Sequence, residues 1–318
     1  MAGLDEITSV VNPRVKRLIR LRKPRLRREE GVLLAEGLRE VTRGLRAGLV
    51  LREVWACSAL VDPGVLPDDG EVFDFKFFLK KTLQLARPLD VADVRPVHAS
   101  EAVFRKIAYH RDPEGLLAVF EAPCPGLEDL NLQRGRLLVA VGTEKPGNLG
   151  AMVRTAAAAG CDAVLAVGPA VDVFNPNAIR NSTGAVFELP VVVVEHESDA
   201  VAWLQQRGVR VAAALAADGG SCFKADLAAT PARPLAVVIG PEHAGLGPVW
   251  RDAATEAVTI PALTGGVVDS LNASAAAAVL LFEVVRQSSA PQTLEPYRGG
   301  ARGTLRPKPP PGSAIFAA

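Results

Sequence analysis

Six short apolar runs, 137-LLVAV-141, 163-AVLAV-167, 190-PVVVV-194, 209-VRVAAAL-215, 235-LAVVI-239 and 257-AVTIP-261, recur along the second half of the chain. Runs of Val, Ala and Leu without polar alternation mark strands covered on both faces, so they predict a largely parallel sheet with helices on either side. In such a doubly wound α/β domain the ligand site lies at the carboxyl ends of the strands. Three segments at those ends are rich in Gly and polar residues: 142–150, 240–247 and 262–274.

At 318 residues, 49% of them hydrophobic, the chain is long enough for two domains. It has no run of about 18 apolar residues, and MAGLDEITSV lacks a basic-then-apolar leader pattern, so a soluble cytoplasmic protein is expected. Cys57, Cys124, Cys161 and Cys222 form no C-x-x-C pair and the four histidines no H-E-x-x-H, so neither a metal site nor a disulfide framework is expected.

Ahead of residue 121 the pattern differs. A basic helix at 13–22 leads into a strand at 31–37 and a helix at 38–47. A strand at 50–58, a turn at 62–70, a helix at 99–108 and a strand at 116–120 follow. In 73-FDFKFF-78 the period-2 spacing of Phe73, Phe75 and Phe77, with Phe78 beside them, reads as a half-buried strand in preference to a stacking surface for bases. The expected organisation is a small α/β domain over 1–120, a linker at 121–134, the doubly wound domain at 135–288 and a disordered Pro/Gly/Arg-rich tail at 289–318.

Net charge is +1, yet residues 1–52 hold 13 Lys/Arg against 6 Asp/Glu. Arg14, Lys16, Arg17, Arg20, Arg22, Lys23, Arg25 and Arg27 all fall in a segment without an acid, an electrostatic footprint for RNA. The competing reading is a solvated face paired with Glu29, Glu30, Glu36 and Glu40.

The segment 142-GTEKPGNLG-150 has the glycine spacing of a phosphate loop, but Asn148 and Leu149 stand where Lys and Ser/Thr are required; G-x-G-x-x-G fails too. Gly147, Pro146 and Gly150 suit a plain strand-to-helix turn, and Asn148 suits a helix cap. Asn148 and Arg154, read together on one helix face, form a donor pair for a ribose hydroxyl and a phosphate.

The segments 143-TEKPGNLGAMVRTA-156, 237-VVIGPEHAGL-246 and 260-IPALTGGVVDSLNASAAAAVLLFE-283 resemble, in order and spacing, the three motifs of the SpoU (TrmH-type) RNA ribose 2′-O-methyltransferases of the SPOUT superfamily; 180-RNSTGAVFELPV-191 is similar to the segment between them. The opening 8–41 is similar to the ribosomal-protein-like RNA-binding domain that many members carry. The resemblance implies a deep trefoil knot and a homodimer. It also implies S-adenosylmethionine held by the knot loops, with Gly240, Ile260 and Leu271 in contact with it. Arg154 takes the central catalytic role, surrounded by Asn148, Glu242, Ser270 and Asn272, and Glu242 orients Asn148 or Arg154. The basic first domain points to 23S RNA of the large ribosomal subunit as substrate, against tRNA. A catalytically silent RNA-binding protein and a nucleotide-dependent enzyme are the rivals. Taken singly, Glu242 reads as a surface residue, and Ser270 and Asn272 as caps of a final helix at 271–287.

Overall fold

The computed structural model describes residues 6–65, 74, 77–78, 96–168, 172–262 and 270–288. Asn12 accepts from the backbone N–H of Arg14 at 2.9 Å and caps α1 (Pro13–Arg20), with Pro13 in the first turn where its missing N–H costs nothing. The basic helix expected at 13–22 ends at Arg20, and Pro24 opens a second helix that was not expected, α2 (Pro24–Glu30). A four-stranded sheet follows, built from β1 (Val32–Glu36), β2 (Leu51–Ala56), β3 (Val97–His98) and β4 (Leu116–Glu121) in the order β1-β4-β2-β3. Helices α3 (Leu38–Arg46) and α4 (Glu101–Ile107) lie between its strands in sequence.

The phenylalanine cluster departs from its predicted strand. Phe77 and Phe78 open a helical turn whose N–H groups return to Asp74, and Phe78 is fully buried. Packing against the core overrides the period-2 pattern here. Phe73 and Phe75 lie outside the described residues, as does the tail from 289 onward.

All six apolar runs form strands of one parallel sheet of seven: β5 (Arg136–Val141), β6 (Ala163–Val167), β7 (Val191–Val194), β8 (Arg210–Ala214), β9 (Gly220–Ser221), β10 (Leu235–Ile239) and β11 (Glu256–Thr259). Their order is β7-β6-β5-β10-β8-β11-β9. The chain winds outward from β5 to β7 and then returns to lay β10 beside β5. The crevice between those two strands is therefore the switch point at which ligands settle in sheets of this kind. Helices α5 (Pro146–Ala158), α6 (Pro176–Asn181), α7 (Glu197–Gln206), α8 (Pro248–Ala253) and α9 (Ala273–Ser288) complete the fold.

Two close approaches place the helices. A Cβ on Gly150 would stand 2.4 Å from the carbonyl oxygen of Ala178, so only glycine lets α5 lie this near α6. Helix α9 packs on α5 and β10 through Ala277, Leu280, Leu281 and Val284.

The two sheets share an apolar cluster running from Leu33, Val41 and Phe120 to Val153, Val186 and Phe187. Polar contacts reinforce this seam. Arg27 donates to the carbonyls of Leu21 (2.7 Å) and Arg22 (2.9 Å) and pairs with Asp172. Arg43 donates to Oγ1 (3.0 Å) and the carbonyl of Thr183.

Candidate active site

Two strand ends meet at the switch point, and the chain that follows β11, two strands away, returns to it at Asn272. The chain leaves β5 at Gly142 and enters α5 through Lys145 and Pro146; it leaves β10 at Gly240, and it leaves β11 toward α9 through Ile260. An ideal Cβ on Gly142 would meet the Pro241 ring at 3.5 Å, so the first two loops touch.

Glu242 is the hub. Its Oε1 accepts the side-chain amides of Asn148 at 2.6 Å and Asn272 at 2.8 Å, and its Oε2 accepts from Lys145 Nζ. Asn272 also donates to Asn148 Oδ1 at 3.3 Å. The bond from Lys145, then that from Asn148, holds the Glu242 carboxyl below the usual carboxylate range. A charged carboxylate thus collects one ammonium and two amides from two other segments, and ties three together.

Asn148 is not a helix cap. Lys145 occupies that position and Pro146 the first turn, which frees the Asn148 amide for Glu242. The cap of α9 is Asn272, whose Oδ1 accepts from Ser274 N (3.0 Å) and Oγ (2.6 Å). Ser270 is exposed two residues before it, and the expected helix start at 271 moves to Ala273.

Arg154 does not share a face with Asn148. Six residues along an α-helix turn the chain to directions about 120° apart, and its exposed side chain makes no hydrogen bond or ion pair with any described residue. Glu242 therefore orients Asn148 and Asn272 and leaves Arg154 free. Lys145 went unnoticed in the sequence, although it immediately precedes Pro146 and the helix that carries Asn148.

The residues expected to hold the cofactor, Gly240, Ile260 and Leu271, lie on the second and third of these loops. A Cβ on Gly240 would lie 2.7 Å from the Gly245 carbonyl carbon, so the 240–247 loop folds back with no room for a side chain. Ile260 is half-buried against the core and Leu271 is 47% exposed at the start of the closing segment. Much of the third loop, 263–269, lies outside the described residues.

The basic segment divides into two groups. Arg27, with its side chain 2% exposed, is a seam residue and offers nothing to RNA. Arg17 pairs with Glu30 (2.6 Å) and Glu53, Arg14 with Glu53 (3.3 Å) while lying over Trp55, and Arg25 with Glu29 (2.6 Å). Arg22 is bonded to the carbonyls of Lys106 and Ala108. Lys16, Arg20 and Lys23 are exposed and make no hydrogen bond or ion pair with any described residue. No group of His, Cys, Asp and Glu fit to hold a metal occurs among the described residues, and none of their helices is long and apolar enough to cross a membrane.

Comparison with known proteins follows the same division. Residues 135–282 match the SpoU rRNA Methylase family and residues 12–118 an MRM3-like substrate binding domain. The 23S rRNA (uridine(2479)-2′-O)-methyltransferase of Streptomyces viridochromogenes is 34% identical over 179 residues, 55% of this chain; the chain spans 61% of that relative's length. The 23S rRNA (guanosine-2′-O-)-methyltransferase RlmB of Ralstonia nicotianae is 34% identical over 205 residues, 63% of this chain and 80% of the relative. An AdoMet-bound rRNA methyltransferase from Sinorhizobium meliloti superposes with a TM-score of 0.74 at 28% identity, over 90% of this chain and 99% of that one. With the motif loops gathered at the switch point of a parallel sheet, and a curated relative of which it covers four fifths, the chain belongs to the SpoU (TrmH-type) methyltransferase family.

Proposed function

We propose that this chain transfers a methyl group from S-adenosylmethionine to a ribose 2′-hydroxyl of RNA, with 23S ribosomal RNA as substrate. The observation that carries the reading is the Asn148–Glu242–Asn272 cluster, which joins all three family motifs at the switch point. The names of the relatives favour ribosomal RNA over tRNA. The residues present fit the cofactor: Gly240 sits where the loop closes on the backbone of Gly245 and Leu246 with no room for a side chain, and Leu271 next to the Asn272 contact is exposed.

The cofactor supplies a methyl already activated on sulfonium, so the protein's work is alignment and stabilisation of charge on the attacking oxygen. Arg154 performs that work. A guanidinium keeps its proton to a pKa above about 12, so it binds the ribose oxygen and a neighbouring phosphate through its fork instead of acting as the base. The hydroxyl proton leaves to phosphate or water. Glu242 fixes Asn148 and Asn272, and Lys145 keeps Glu242 ionised. Ser270, exposed before the cap, faces the reacting groups in this reading. Lys16, Arg20 and Lys23, aided by Arg14, Arg17, Arg22 and Arg25, attract the RNA backbone.

Residues 1–120 form the substrate-binding domain, 121–134 the linker and 135–288 the methyltransferase domain. A trefoil knot closes the chain around α9, a homodimer forms on that helix, where Phe282 is 49% exposed, and the protein works in the cytoplasm. The test is transfer of labelled methyl from S-adenosylmethionine to ribosomal RNA and, separately, to tRNA from cells lacking the gene, with alkali-resistant linkages mapped. Label at a ribose of 23S RNA is expected. Label in tRNA alone overturns the substrate, and label in neither, with no cofactor bound, leaves an RNA-binding scaffold.

A further inference from the structure

The seam between the sheets leaves one aromatic ring open beside unpaired cations. After α4 the chain turns through Ala108 into Tyr109 and His110, whose backbone N–H groups donate to the buried carboxylate of Glu36 at 2.6 and 3.3 Å. Two N–H groups on one carboxylate fix the backbone of the turn that carries both rings. Tyr109 is 37% exposed and stands edge-on to His110, centroids 5.7 Å apart at 81°. Its hydroxyl meets Asn177 Nδ2 at 3.5 Å, on α6. The far end of the same helix, Asn181, lies beside Gly147 of the catalytic loop.

Cations lie on both elements that meet this turn, the α1–α2 connection and α6. Arg22 grips the carbonyls of Lys106 and Ala108, which brings the end of α1 and its unpaired Arg20 and Lys23 against the same turn. On α6 Arg180 is exposed, and its side chain makes no hydrogen bond or ion pair with a described residue. Burial first, and then the charge of Arg180, lowers the proton affinity of His110. Nearby carboxylates are occupied: Glu36 by the turn, Glu40 by Arg39, Asp172 by Arg27 and Glu114 by the N–H of Leu38. Of the phenylalanines singled out in the sequence, Phe78 does not compete for this role, because it is buried.

We propose that Tyr109 is a stacking ledge for an unpaired base of the RNA, close along the strand to the methylated ribose, with Arg180 holding the adjoining phosphate. This rests on the methyltransferase reading above and adds to it where the strand runs: from α1, over the Tyr109 turn, along α6 to Asn148 and Arg154. An exposed ring on a hydrogen-bonded turn, with unpaired cations on the elements that meet it, is an arrangement by which proteins hold single-stranded RNA.

Fluorescence anisotropy with an end-labelled, unstructured RNA dodecamer and with a 23S RNA transcript tests it, alongside methyl transfer. Tyr109→Ala and Tyr109→Leu are expected to weaken RNA binding about ten- to hundredfold, the range that stacking on one base spans. Tyr109→Phe is expected to bind normally, and Arg180→Ala to lower the salt slope by about one. Unchanged affinity in Tyr109→Ala overturns the ledge. Equal losses in Tyr109→Phe and Tyr109→Ala overturn it too, since they would assign Tyr109 to the seam through Asn177. If the unchanged chain transfers no methyl group while Tyr109→Leu still loses RNA and Tyr109→Phe does not, the methyltransferase reading falls and the ledge stands.

Discussion

The side-chain amide of Asn272 and the Oε1 oxygen of Glu242 lie 2.8 Å apart although the last helix and the β10 loop carry them independently. Asn148 uses the same oxygen, so removing the charge of that carboxylate disturbs two motifs together.

Glu242→Gln keeps the shape but replaces one acceptor oxygen with an NH₂ that faces Lys145 or the two amides. Misplaced by a fraction of an ångström, the site should lose on the order of a hundredfold in turnover. Thermal unfolding should change little, because the bonds this carboxylate accepts lie at the surface of the loops. Single-turnover methylation and a melting curve measure the two effects, and a large fall in melting temperature would make Glu242 structural.

Arg154→Lys conserves charge and discards the fork. A loss of about 10²- to 10³-fold in turnover is expected, the scale of removing one charge-stabilising donor, with little change in cofactor affinity. Near-normal turnover would show that a point charge suffices.

Arg27→Ala and Lys23→Ala separate two fates of neighbouring cations. The first strands Asp172 and the carbonyls of Leu21 and Arg22, and should cost about 3 kcal/mol in a urea titration, the lower end for breaking a buried pair. The second should leave stability alone and reduce the salt slope of RNA binding by about one. A stable Arg27→Ala chain with weakened RNA binding would return Arg27 to the RNA surface.

Burial raises the Glu36 carboxyl above its ordinary range, against the opposing pull of the Tyr109 and His110 N–H groups. The folded chain then binds a proton more readily than the unfolded one, so this residue's contribution to stability falls as pH rises from the unfolded carboxylate value through the raised one. Glu36→Gln should gain stability relative to the unchanged chain over that interval and hold the gain above it. Melting temperatures that run parallel from pH 4 to 8 would refute this.

The sheet was legible because each strand is buried on both faces, and 163-AVLAV-167 tolerates no polar residue. The motif loops were legible by resemblance, but their bonding was not: Asn148 and Glu242 are 94 residues apart, and only the return of β10 to β5 brings them together. Lys145 carried no signal beyond its place before Pro146. The shared face assigned to Asn148 and Arg154 failed on helical geometry alone. Arg27 was indistinguishable from eight neighbouring cations in the sequence, because its burial depends on Asp172, 145 residues on. Phe77 and Phe78 obeyed their surroundings over their spacing.

Asn272 joins a cluster whose other members precede it by 30 and 124 residues, while the sheet that carries the basic helices is finished at Glu121. Synthesis therefore finishes that sheet long before the cluster. On the reading proposed above, each nascent copy carries its basic helices through an interval in which the centre that would modify RNA is not yet assembled, and that interval ends only when the closing helix is made.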